Sequence, residues 1–179
     1  AWDEVTQWSQ EQGCLWLHFD FQFPETQEWL RDGSGLNDIA SAALVNPETR
    51  PRAVNRGDNL LLALRGVNLN PGSEPDDMVA VRIWTDGHRV ISTRRRILQS
   101  TRDVVEELEN GSGPRNAVEL LTFWIDRIVL RMSGTVESFE DQVLALEERV
   151  LGGEVAGMRL ELAQLRKQTI TIRRYLAPQ

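Results

Sequence analysis

Two histidines, one cysteine and clustered acids are the side chains of this 179-residue chain whose types and spacing suit chemistry. Cys14, His18 and Asp20 sit at even spacing in an alternating segment, so they share one face of a strand. Zinc takes His, Cys and carboxylate ligands in tetrahedral reach. Neighbouring same-face positions on a strand are about 7 Å apart, which is long for two ligands of one ion. A hydrogen-bonded structural histidine is therefore the simpler reading of His18. His88 follows a turn signal at Asp86-Gly87. An exposed hairpin histidine is the default there, with opportunistic zinc binding beside Asp86 as the sharper reading.

A second set lies further along. Glu137, Glu140, Asp141, Glu147 and Glu148 fall in a helical stretch, where Glu137 and Asp141 are four apart and share a face. A solvated helix face explains them; a weak divalent-cation site at a subunit boundary is the alternative reading. Arg159, Arg166 and Arg173 are seven apart and so lie along one helix edge. They read either as a solvated edge partly paired with Glu161, or as rings of positive charge around a symmetry axis, with chloride or another anion between them. Arg94-Arg95-Arg96 is a short basic run suited to an anion or to an acidic helix of a neighbour. Zn2+ or another divalent cation, and chloride, are the ligands these patterns would take; no organic cofactor is called for.

Bond-making templates are missing. There is no phosphate-binding glycine loop, no His-Glu-x-x-His helix and no nucleophile elbow. The expectation is that the chain is not an enzyme. A net charge of −7 disfavours nucleic acid, which demands clustered Lys and Arg. The single Cys14 cannot form an internal disulfide or a cysteine-pair zinc knuckle. No run of about 18 apolar residues spans a bilayer. The chain begins on Ala1 and stops on Gln179 just after a strong helical pattern, so both ends read as cut points in a longer protein.

Strands and helices alternate in the first half. Leu15 to Asp20 alternates as a strand; Pro24 opens a short helix to about Leu30; Asn37 caps a helix stopped by Asn46-Pro47. Arg52 to Asn55 is a short strand, and Leu60 to Leu64 reads as a strand buried on both faces. Val79 to Trp84 alternates, and Val90 to Thr93 is its hairpin partner. Ser100 is expected to cap a helix with Val104, Val105 and Leu108 on its apolar face. The predicted class is α+β, an αβα-layered mixed sheet flanked by helices, followed by a long antiparallel helical hairpin whose last helix is a stalk. The predicted domains are 1–113 and 114–179, divided at the linker Asn110-Gly111-Ser112-Gly113-Pro114.

Asn116 with Glu119 forms a capping-box signature for a rod running to about Leu151, roughly 35 residues and about 50 Å long. Its expected stripe is Val118, Leu121, Ile125, Ile128 and Met132, resuming after one shift at Val136, Phe139, Val143, Leu146 and Val150. After Gly152-Gly153, Val155, Met158, Leu162, Leu165, Thr169, Ile172 and Leu176 repeat at 3-4 spacing in a second helix, Glu154 to Leu176. Leu160 and Ile170 lie off that seam, so this helix has two apolar sides and is expected to touch two things.

Four strings carry a family resemblance: NPETRPR at 46–52, RGVNLNPG at 65–72, DDMVAVRIW at 76–84 and RRYLAPQ at 173–179. Together they resemble the CorA metal-ion transporter family, and within it the zinc-transporter branch, over essentially the whole chain. The resemblance implies the cytoplasmic domain of a bacterial inner-membrane protein, an αβα layer followed by long helices. It implies that the last helix runs on into the first of two transmembrane helices, and that five copies form a funnel around the ion path. On this reading the chain's partners are copies of itself and divalent cations, and it meets the membrane only through a segment beyond Gln179. Gly66-Val67-Asn68 imitates the pore-mouth signature of the family but follows an apolar strand, so it reads as a strand-to-turn segment. The alternatives are a magnesium or cobalt channel of CorA type and a free-standing soluble oligomeric scaffold.

Overall fold

The structure is a computed structural model that describes residues 2–74, 76–153 and 157–179, with side chains from residue 5 onward. Its elements run α1 (Trp2–Gln7), a 3-10 turn (Gln10–Gln12), β1 (Leu15–Asp20) and α2 (Pro24–Glu28), which widens into a π turn (Trp29–Gly33). Then come α3 (Asp38–Val45), β2 (Arg52–Arg56), β3 (Asn59–Val67), β4 (Met78–Thr85), β5 (Arg89–Arg94), α4 (Gln99–Glu109), α5 (Ala117–Leu151) and α6 (Met158–Leu176). The start of the last predicted helix, Glu154 with Val155, lies outside the described residues.

The five strands form one mixed sheet in the order β1-β5-β4-β3-β2. β1 pairs in parallel with β5, which requires a long crossover through α2 and α3; the other pairs are antiparallel. Strand alternation then divides the core into two layers. Leu62, Leu64, Val81, Ile83 and Val90 face α4 and α5, where they meet Val104, Leu120, Trp124 and Ile128. Trp84 and Ile91 face the other way, onto Leu30, Ala40 and Leu44 of the α2–α3 layer, with Phe19 and Leu61 packed beside them. This is the predicted αβα layering.

Local signals explain most boundaries. The Asn37 side chain accepts a hydrogen bond from the Ala40 N–H (2.9 Å) at the start of α3. Asn116 accepts from the Glu119 N–H (2.9 Å) at the start of α5, and the Glu119 carboxylate returns to the Arg115 N–H (2.8 Å). Ser100 does not cap α4. The N-cap is Leu98, and Ser100 is buried inside the helix. Leu98 packs against Gly66 so closely that a Cβ there would meet its Cδ1 at 2.7 Å, and this contact fixes where α4 leaves the sheet. Gly66 and Val67 end β3 and Asn68 begins the turn, as read from the sequence.

The first half of α5 belongs to the sheet core, so the core crosses the 113/114 position. Its buried stripe is Ala117, Leu120, Leu121, Trp124, Ile128 and Met132. Val118, expected on that stripe, is 72% exposed, and Ile125 is also exposed. A strict heptad picks the seam of a coiled coil, whereas the partner here is a flat sheet that takes the wider face of a 3.6-residue helix and seats Trp124 at its centre. The second half of α5 carries α6 antiparallel to it. Leu146, Met158 and Leu165 cluster with Phe139, and the Gln179 amide reaches the Met132 sulfur at 3.8 Å. Gly153 takes φ +83°, the left-handed value that closes α5 and that glycine adopts without a Cβ penalty.

Candidate functional site

Metal-ligand candidates occupy three separate places. His18 sits on the α5 side of β1, its ring 5.8 Å from Trp16 and 5.7 Å from Trp124. Its Nδ1 is 2.8 Å from Ser92 Oγ, which also accepts from Trp16 Nε1 (2.9 Å) and donates to the Leu17 carbonyl (3.1 Å). The direction of the His18–Ser92 bond follows the histidine tautomer and the rotor of the single Ser92 hydroxyl hydrogen. Nε2 is buried and without a hydrogen-bond partner. Burial lowers the His18 pKa to about 4; nearby Arg94 pushes the same way and Asp20 opposes.

The other residues of that strand face are committed elsewhere. Burial, and then Asp86, raise the Cys14 thiol above its ordinary value, which disfavours a zinc thiolate. Asp20 pairs with Arg94 (3.2 Å) and accepts the Gln22 N–H (3.0 Å). His88 lies exposed at the β4–β5 turn. There the Asp86 carboxylate accepts the His88 N–H (3.0 Å), the Arg89 N–H (2.7 Å) and the Arg89 guanidinium (2.9 Å). Burial works against its ionisation, but those bonds hold Asp86 below the usual carboxylate range.

Glu137, Glu140 and Asp141 are all exposed on the distal half of α5. Among the described residues, no three His, Cys, Asp or Glu side chains converge as a metal cage within one chain. Arg159, Arg166 and Arg173 are exposed on α6. Glu161 pairs with Arg149 of α5 (2.6 Å and 3.3 Å), so it ties the two helices together and is held below its ordinary pKa by that bond.

What the hairpin does assemble is an apolar groove of about 860 Å³ between α5 and α6. Val136, Phe139, Val143 and Leu144 form one wall and Ile172 and Leu176 the other; Glu140, Glu147 and Arg173 sit on its rim. Only one ridge of α6 is covered: Met158, Leu165 and Ile172, seven apart, are buried. Leu160 is 68% exposed, Ile170 59% and Leu162 50%. Leu160 and Ile170, the second apolar side read from the sequence, are therefore open in a single chain; Leu162, expected on the covered seam, is open as well because the contact with α5 follows the narrower ridge of Met158, Leu165 and Ile172.

Sequence reasoning missed Trp124, the largest fully buried side chain among the described residues, and the arginines Arg65 and Arg82 inside the sheet. The signal for Arg82 was a lone charge in the middle of an otherwise apolar alternating strand.

The family model described as CorA-like Mg2+ transporter protein matches residues 11–179. A divalent cation transporter, CmaX, of Pseudomonas aeruginosa is 44% identical over 167 residues, covering 92% of this chain and 50% of that protein. The zinc transport protein ZntB of Yersinia enterocolitica is 34% identical over 169 residues, covering 94% of this chain and 51% of that protein. The crystal structure of the ZntB cytoplasmic domain from Vibrio parahaemolyticus superposes with a TM-score of 0.80 at 25% identity, covering 92% of this chain and 65% of that one. The chain thus spans about half the length of the curated relatives it matches.

Proposed function

Because the chain belongs to the CorA-like family, we propose that it is the cytoplasmic assembly and regulatory domain of a divalent-cation transporter with zinc as its ion, not an enzyme. The observation that carries this reading is the half-covered hairpin. An amphipathic α6 with Leu160, Leu162 and Ile170 in solvent, beside a groove of about 860 Å³, matches a surface completed by sister copies. Five copies are what the family resemblance implies. In such a ring α6 is the stalk that leads toward a membrane segment beyond Gln179. Among the described residues no helix is long and apolar enough to cross a bilayer.

Regulation then needs no bond chemistry. A ligand that binds one packing of the stalks better than another shifts the population toward it. Glu137, Glu140 and Asp141 on one chain, brought against a neighbour, offer weak divalent sites, and the Arg159, Arg166 and Arg173 edge offers anion sites, chloride included. Magnesium is the second reading for the ion, favoured by the description of the matching family model. The test is radiolabelled ion uptake into proteoliposomes holding the full-length protein that carries this chain. Zinc uptake exceeding magnesium uptake is expected. Magnesium uptake without zinc uptake would transfer the assignment to the second reading, and no uptake of any divalent ion would overturn both.

A further inference from the structure

Arg65 of β3 and Arg82 of β4 lie on the sheet face turned toward α3, and Arg95 and Arg96 follow the end of β5. All four line one small cavity of about 190 Å³, together with Pro47 and Asp77. Arg82 is 2% exposed. Its Nε donates to the Asn46 carbonyl (2.6 Å) and its Nη2 to the Pro47 carbonyl (3.1 Å), but its Nη1 is buried with no partner. Arg65 spends its donors on carbonyls, Nε and Nη2 on Thr49 (3.2 Å and 2.9 Å) and Nη1 on Met78 (3.0 Å).

The charge does not balance. Among the described residues Asp77 is the one carboxylate on the cavity wall, and it is already taken by Arg96 and by the Asn68 amide (2.9 Å). Four guanidinium groups therefore face one committed carboxylate in a chain of net charge −7. A buried cation without a counter-charge is costly, and an unspent N–H on it is more so. Burial, and then the charge of Arg65, lower the Arg82 pKa to about 10.

We propose that this cavity binds a phosphoryl oxyanion, either free orthophosphate or the terminal phosphate of a nucleotide. The unspent Nη1 of Arg82 supplies the buried donor. The exposed Arg95, with the N–H groups of Arg96 not spent on Asp77, clamps the anion from the rim. A planar guanidinium fork matches the paired oxygens of a phosphate better than a spherical halide. The cavity is too small for a nucleobase beside the phosphate, so a nucleotide would leave its base outside on the rim. The site opens beside the α3 exit at Pro47, and Arg65 on its wall stacks on the Tyr175 ring of α6 (4.5 Å). An anion held there would cross-link the α3 exit at Asn46-Pro47 to the β4 and β5 strands.

Isothermal titration of the 179-residue chain with potassium phosphate, and separately with ATP in EDTA, tests this at constant chloride and constant ionic strength. Saturable one-to-one binding is expected, weakened at least tenfold in the Arg95→Gln, Arg96→Gln double variant and unchanged in Arg115→Gln. ATP binding at least tenfold tighter than phosphate assigns the site to nucleotide; equal affinities assign it to free phosphate. Arg82→Lys, which keeps the charge but removes the fork, should also lose at least tenfold, with unchanged circular dichroism as its folding check. No saturable binding of either anion by the wild type, or equal affinity in the wild type and the double variant, overturns the proposal.

Discussion

His18 shows how one side chain becomes a stability switch without catalysing anything. Its ring is wedged against two tryptophans and bonds Ser92 through Nδ1, with Nε2 buried and unpartnered, so an imidazolium there would bury its charge with only partial relief from Asp20. The folded state therefore binds fewer protons than the unfolded state between about pH 4 and pH 6.5. The stabilisation is fully present above pH 6.5 and is lost as the pH falls through that window. At roughly 1.36 kcal/mol per pH unit, the loss amounts to about 3 kcal/mol by pH 4. Urea unfolding at pH 7 and pH 4.5 checks this: His18→Asn, which keeps a donor toward Ser92, should lose clearly less stability on acidification than the wild type. Equal losses would place the acid sensitivity elsewhere. Trp124 beside it is fully buried among sheet and helix residues. Trp124→Ala should cost about 3–5 kcal/mol in the same measurement, because the cavity left between a sheet and a long helix cannot collapse.

Among elements, the sequence told most about strands and caps and least about which face of a helix is covered. The alternation of Leu15 to Asp20 and of Val79 to Trp84, and the caps at Asn37 and Asn116, depend on local geometry and were legible. Val118 and Ser100 misled because their roles are decided by partners distant in sequence, the sheet in one case and Gly66 against Leu98 in the other. Arg131 was equally invisible. It makes two short bonds to Asp103 (2.7 Å and 2.6 Å) and so pins α4 to α5 in a fork that no spacing rule anticipates. The hydrogen bond to Asp103 raises the Arg131 pKa above its ordinary value. Both groups are partly in water, so a double-mutant cycle with Arg131→Met and Asp103→Asn should return only about 0.5–1 kcal/mol of coupling. A coupling near zero would mean that packing alone holds the two helices together.

At the scale of the molecule, a sheet core sits at one end and a pair of long helices reaches away from it with its apolar sides half used. The acids on that reach are spread along one helix face, and among the described residues one chain alone does not turn them into a cage. If assembly supplies the missing ligands, zinc titration of the full-length assembled protein should show weaker binding in the Glu140→Gln, Asp141→Asn double variant. Unchanged affinity would reject the cluster. The metal candidates were hard to judge from sequence for the same reason: helix spacing shows which carboxylates share a face, while a subunit boundary is a property of several chains at once.

The open apolar side of α6 is what joins fold to function, and the molar mass of the chain in solution tests it most directly. Multi-angle light scattering across a range of concentrations, with and without zinc, should show the 20.4 kDa chain associating toward five times its own mass. Leu160→Ser with Ile170→Ser, both at exposed positions, should abolish that association and leave the thermal unfolding of the monomer within a few degrees of the wild type. A wild-type chain that stays monomeric at every concentration, or a double variant that associates as the wild type does, would contradict the account.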